Sequence, residues 1–218
     1  TADLGNLAGA TGDAAILQAR GITEINVDVS GDPSALDVTS LDSLVGADGA
    51  STPLLNSLHT ASTDLAGHNI GLQLEVGHIG PEASALHITS AQAQTLISDG
   101  LSFVAHDNIA MDVAAGATHL SNSLKELEKL HVDAVAIAAG TDVTIQLGDT
   151  DLHSAVTGAA GGVGELMPVF EGGGHVALEM NTDSLTADLG NLAGIDGDAA
   201  ILQARGITEI NVDVSGDP

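Results

Sequence analysis

Cysteine, tryptophan and tyrosine are missing from this 218-residue chain, and phenylalanine occurs only at Phe103 and Phe170. The lack of cysteine excludes disulfides and thiolate metal sites. Globular cores ordinarily use aromatic rings to fill irregular space, so their scarcity favours thin, regular layers with small, similar slots. Basic residues are almost as rare: Arg20, Lys125, Lys129 and Arg205 stand against 30 acidic residues, for a formal charge of −26. Nucleic acid binding is excluded, because it needs cationic groups that displace counterions from phosphates. Anionic membrane surfaces are excluded on the same ground. No apolar run approaches the length of a membrane span, so no membrane insertion is expected in this segment, and no signal peptide is recognisable.

What the chain holds in quantity is aliphatic. Hydrophobic residues make up 44% of it, almost all Ala, Val, Leu and Ile, which suffices for a sizeable core and is too much for a disordered chain. The decisive feature is a long repeat. Residues 1–33, TADLGNLAGATGDAAILQARGITEINVDVSGDP, return as residues 186–218 with two changes, Ala10 to Ile195 and Thr11 to Asp196. Residues 1–185 are therefore read as one long repeat and residues 186–218 as the start of the next. The chain opens without Met and stops after Gly-Asp-Pro, as an internal piece of a longer array would. An enzyme has no evident use for a partial copy of its own opening, so no enzymatic activity is expected.

A finer pattern lies inside the long one. Six segments alternate apolar and mostly polar residues, at Ile25–Val29, Leu72–Val76, Ile109–Val113, Val143–Leu147, Val176–Met180 and Ile210–Val214. Period-two alternation predicts half-buried strands with three apolar side chains on one face. A second anchor ends in or beside a hydroxyl residue, as in Leu36–Thr39, Leu86–Thr89, Thr118–Ser121, Asp151–Ser154 and Ser184–Thr186. There a helix N-cap would form. Thr89 with Gln92 and Ser123 with Glu126 have the capping-box spacing. Thr52-Pro53 opens another helix. Asp13 to Arg20 is a short helix stopped by Gly21, and Leu120, Leu124, Leu127 and Leu130 make one apolar helix face. Modules of one helix and short strands, about five per 185-residue period, predict an α/β repeat solenoid. In it the first inward residues Ile25, Leu72, Ile109, Val143 and Val176 would share one column of parallel strands about 4.8 Å apart.

The tandem layout, the acidity and segments such as ITSAQAQTLISDGLSF and SNSLKELEKLHVDAVAI resemble the extender regions of giant tandem-repeat bacterial surface proteins, the RTX-adhesin-like family. That resemblance implies an extracellular or cell-surface location and a role for calcium. The nonapeptide calcium signature is absent, since Gly172-Gly173-Gly174 runs into His175 rather than toward an Asp.

The stacked arrangement would also align the outward residues Asp28, Glu75, Asp112, Gln146 and Glu179. Like charges repeating at strand spacing repel by about 1 kcal/mol even in water. A divalent cation, Ca2+ above all, would relieve that with hard oxygen ligands at Asp28, Glu75, Asp112 and Glu179. A solvated acidic face screened by salt is the competing and favoured reading. His68, His87, His106, His119 and His175 fall near strands and carboxylates without the spacing of a metal motif, and turn-lining histidines bonded to backbone are preferred to metal ligands. Asp151, His153 and Ser154 are close in sequence, but a catalytic triad needs geometry that adjacency does not supply. GAAGGVG lacks the Lys-Ser or Lys-Thr of a phosphate loop. The expected function is therefore structural: an extracellular fibre or surface spacer whose partner is itself, joined end to end by strand stacking. A calcium-dependent adhesin segment or ligand-binding module is the alternative.

Overall fold

A computed structural model of the chain describes residues 13–28, 41–42, 44–77, 85–148, 152, 167–181 and 198–213, with the side chains of 181 and 213 left aside. The anchors expected at Leu36–Thr39 and Ser184–Thr186, and Asp151, His153 and Ser154, lie outside the described residues. The chain divides into two compact units, Thr1–Asn108 and Ile109–Pro218.

The first unit runs α1 (Asp13–Ala19), β1 (Glu24–Asp28), α2 (Pro53–Ala66), β2 (Gly71–Glu75), β3 (Leu86–Thr89), α3 (Ser90–Ser98) and β4 (Ser102–Phe103). The strands β1, β2 and β4 form one parallel sheet in that order. Each follows a helix directly. Ile25 lies beside Leu72, Val27 beside Leu74, and Leu74 beside Phe103. The helix α2 begins at Thr52, whose hydroxyl accepts the Leu55 N–H at 3.2 Å, with Pro53 in the first turn where its missing N–H costs nothing. Its Leu55, Leu58, Ala61 and Leu65 recur at three and four residues and are buried, which is the stripe that seats a helix on a sheet. The helix α3 carries the capping box expected from Thr89 and Gln92.

The second unit runs β5 (Ile109–Val113), α4 (Leu124–Leu130), β6 (Ala134–Ile137), β7 (Asp142–Gln146), β8 (Val169–Gly172), β9 (His175–Asn181), α5 (Asp198–Ala204) and β10 (Glu209–Asp213). The strand β6 lies between β5 and β8, and β9 lies between β7 and β10, all parallel. Ser123 and Glu126 close the capping box of α4, and Leu124, Leu127 and Leu130 are buried as its inner face. Both phenylalanines are buried, Phe103 in the first unit and Phe170 in the second.

The expected α/β repeat solenoid is thereby overturned. All six alternating segments are strands, but they do not make one ladder: the strands fall into three separate small parallel sheets of three or four strands, accompanied by five helices among the described residues. The predicted column breaks after Leu72. The second neighbour of β2 is β4, a two-residue strand absent from the pattern, rather than β5, and β7 pairs with β9 rather than β5. The physical reason is that alternation specifies which face of a strand is buried and says nothing of its neighbour. Strands that leave a helix occur in all three sheets (β1, β2 and β4 in one, β6 in another and β10 in the third), so the element before a strand does not choose its neighbour either.

Two glycines with positive φ differ in a way that can be measured. Gly172 has φ +112°, and a Cβ there would collide with the Ile137 carbonyl oxygen of β6; Gly116 has φ +82° with open space around it. Gly116→Ala should cost about 1 kcal/mol from backbone strain alone. Gly172→Ala should cost roughly 2 kcal/mol more, since strand β8 must move from β6. Denaturant melts of the two variants compare the costs, and equal values would contradict this packing.

Candidate docking interface

Five helices end in one way. The residues Gly21, Asn69, Gly100, His131 and Gly206 adopt positive φ. After each comes an apolar residue whose N–H reaches back to a leucine carbonyl: Ile22 to Leu17, Ile70 to Leu65, Leu101 to Leu96, Val132 to Leu127 and Ile207 to Leu202, each at 3.0 Å. This is the Schellman arrangement, which satisfies the last carbonyls of the helix and turns the chain sharply. Every such turn feeds a strand. A helix–turn–strand unit thus recurs five times among the described residues.

The residue leading into the strand decides which neighbours it can hold. In β6 it is Asp133. Its N–H donates to Ile109 O at 3.0 Å and its Oδ2 accepts the Ile109 N–H at 2.9 Å, which ties it to β5. Its carbonyl accepts the Val169 N–H at 2.8 Å, which ties it to β8. One residue therefore serves both edges. Although Asp133 as a whole is exposed, partial burial of its carboxyl group holds its pKa above the usual range, opposed by the Ile109 N–H and by His131. Asp107 plays a related part before β5, where its Oδ2 accepts the Val76 N–H at 2.7 Å.

Residues 13–28 and 198–213 are the same sixteen letters, DAAILQARGITEINVD, and both fold as helix, turn and strand. Their leading residues, Thr23 and Thr208, use opposite edges. Thr208 N–H donates to Val176 O at 2.9 Å, and its Oγ1 accepts the Val176 N–H at 3.0 Å, as Asp133 does toward β5. Thr23 instead accepts the Gly71 N–H at 2.9 Å on its carbonyl, as Asp133 does from β8. Asp133 displays in one strand the two halves that the copies display separately.

Burial follows the same division. In the first copy Ala14 is fully buried, while Ile22 is 39% and Ile16 51% exposed. In the second copy Ile207 is 4% and Leu202 1% exposed, while Ala199, the counterpart of Ala14, is exposed. Gly21 has open space around it, yet a Cβ on Gly206 would strike the Phe170 carbonyl oxygen. Phe170 N–H donates to Arg205 O, and Arg205 Nη1 donates to Met167 O, both at 2.7 Å. On its other flank the second copy carries an open groove of about 440 Å³ lined by Ala199, Leu202, Gln203, Ile207, Thr208 and Ile210 among others.

The sites expected from the acidic column are scattered. Asp28 and Glu75 are register partners at the end of β1 and β2. Asp112 sits in β5 opposite Ala136. Glu179 lies in β9 between Asn211 and Gln146, and Gln146 Nε2 donates to Glu179 Oε2 at 2.6 Å. The four acids thus occupy three different sheets, because the single stack that would have aligned them does not form. Among the described residues no group of three or more His, Asp and Glu could hold a metal ion. The histidines bond locally: His68 Nδ1 meets Gln18 Oε1 at 3.0 Å, His59 Nδ1 lies 3.2 Å from Asp99 Oδ1, and His106 Nε2 is 3.9 Å from Glu75 Oε1. His119 bridges to Thr144, His87 lies in β3, and His175 opens β9 beside Asp142. Sequence reasoning missed Thr23, Thr208, Asp107 and Asp133. Their signal is an Asp or Thr placed two positions before the first inward residue of a strand.

Trypsin reads the difference between the copies directly, because Arg20 and Arg205 sit in identical sequence. Cleavage should occur after Arg20 well before Arg205, whose side chain and carbonyl are both engaged; equal rates would contradict the assigned contacts. Comparison with protein-family models, with curated proteins and with solved structures finds no match for the chain.

Proposed function

We propose that this protein is a structural, non-catalytic tandem-repeat segment that joins copies of itself end to end, serving as a fibre or surface spacer outside the cell. The observation that carries this reading is the pair of identical helix–turn–strand copies, each covered, among the described residues, on the flank that the other leaves bare. Parallel strands with an unoccupied edge are templates for pairing. Sideways association is opposed by the charge of −26, which leaves the ends as the favoured contact. No helix among the described residues is long and apolar enough to cross a membrane, in keeping with a segment that extends away from any anchor.

Among the described residues, the adhesin-like alternative, a segment stiffened by Ca2+, draws on the neighbouring carboxylates Asp28 and Glu75. Two carboxylates fall short of the six to eight oxygen ligands that calcium takes. The expected outcome is therefore a Tm unchanged between excess calcium and chelator. Light scattering should show a mass that rises with protein concentration, and electron microscopy should show linear chains of particles. A constant monomer mass at all concentrations would remove the structural reading, and a Tm raised by calcium would favour the alternative.

A further inference from the structure

The groove on the second copy has an occupant already visible elsewhere in the molecule. Its residues Gln203 and Thr208 correspond to Gln18 and Thr23 of the first copy. Gln18 receives His68, and Thr23 O receives the Gly71 N–H, so the first copy carries the turn before β2, and β2 itself, on the surface equivalent to that groove. We propose that the α5–β10 groove binds the His68–Glu75 segment of a second copy of this chain, taking the place of that second chain's own α1–β1. This rests on the self-association reading above and adds its surface, register and mechanism.

Three observations carry it. The sixteen residues are identical, so every contact made by α1–β1 with β2 can be remade by α5–β10. The edges agree: Thr208 uses its N–H and hydroxyl toward β9, and its carbonyl is the group that Thr23 offers to Gly71. Asp133 shows that one leading residue can serve both neighbours at once. The exchange also conserves contacts. Before it, one copy holds β9 and the other holds β2; after it, a single copy holds both and the other is released. The released α1–β1 is the more weakly housed copy: Ile22 is exposed where its counterpart Ile207 is buried, and Ile16 and Leu17 are each less covered than their counterparts Ile201 and Leu202. Its regained conformational freedom offsets part of the entropy lost on association. The bound register should repeat that of β1 on β2, placing Asn211 opposite Gln73 as Asn26 now is.

Disulfide trapping in the full-length chain tests this, since the native protein has no cysteine to interfere. Asn211→Cys chains mixed with Gln73→Cys chains should form a covalent heterodimer several-fold faster than Asn211→Cys mixed with Ser57→Cys, an exposed position on α2. The double variant Asn26→Cys/Gln73→Cys should close within one chain and calibrates the register. Failure of that closure, or a heterodimer yield no higher than the Ser57→Cys control, overturns the proposal. Light scattering on the unmodified chain separates the two levels. Concentration-dependent mass without the specific crosslink would leave self-association through another face, whereas a fixed monomer mass would end both.

Discussion

Everything in this fold depends on the two edges of a parallel strand being separately addressable at the residue that leads into it. A residue ahead of a strand can turn its N–H and side-chain oxygen to one neighbour and its carbonyl to the other. Asp133 does both. Thr208 and Thr23 each do one half. Because buried or ladder-forming backbone groups must find partners, a strand that shows one satisfied edge and one bare edge has a defined appetite. The two copies of DAAILQARGITEINVD have complementary appetites, and that asymmetry between identical sequences points to function more directly than any polar cluster.

The helix ends make the device reproducible. A positive-φ residue followed by an apolar one ends all five described helices, with the same N–H to leucine carbonyl bond. Glycine suits three of these positions because it adopts the left-handed region without a steric penalty, and Asn69 and His131 fill the other two. The turn delivers each following strand in a common direction, so neighbouring units can share a parallel sheet. Small aliphatic side chains suffice to fill the thin space between one helix and a few short strands, which accounts for the scarcity of aromatic rings.

Local structure was legible in the sequence to a large degree. The alternating segments are strands, Thr52, Thr89 and Ser123 cap helices, and Gly21 stops α1. The assembly of those pieces was not legible. Alternation at Ile109–Val113 and Leu72–Val76 looks the same, yet β5 follows a loop, β2 follows a helix, and they enter different sheets. The strand β4 at Ser102–Phe103 is too short to register as a pattern. The acidic column failed with the stack that would have aligned it. The candidate site was half legible: the duplicated sequence sets residues 13–28 and 198–213 side by side for comparison, whereas the use of opposite edges by Thr23 and Thr208 depends on backbone direction, which no side-chain pattern encodes.

The central claim is that identical segments sit in opposite halves of one interface. Amide hydrogen exchange followed by NMR is its most direct test, because residues 13–28 and 198–213 share sequence and hence nearly all their intrinsic exchange rates. The account predicts that the Thr208 amide, donating to Val176 O, is protected far more strongly than the Thr23 amide in the isolated chain. Equal protection at the two threonines would contradict it.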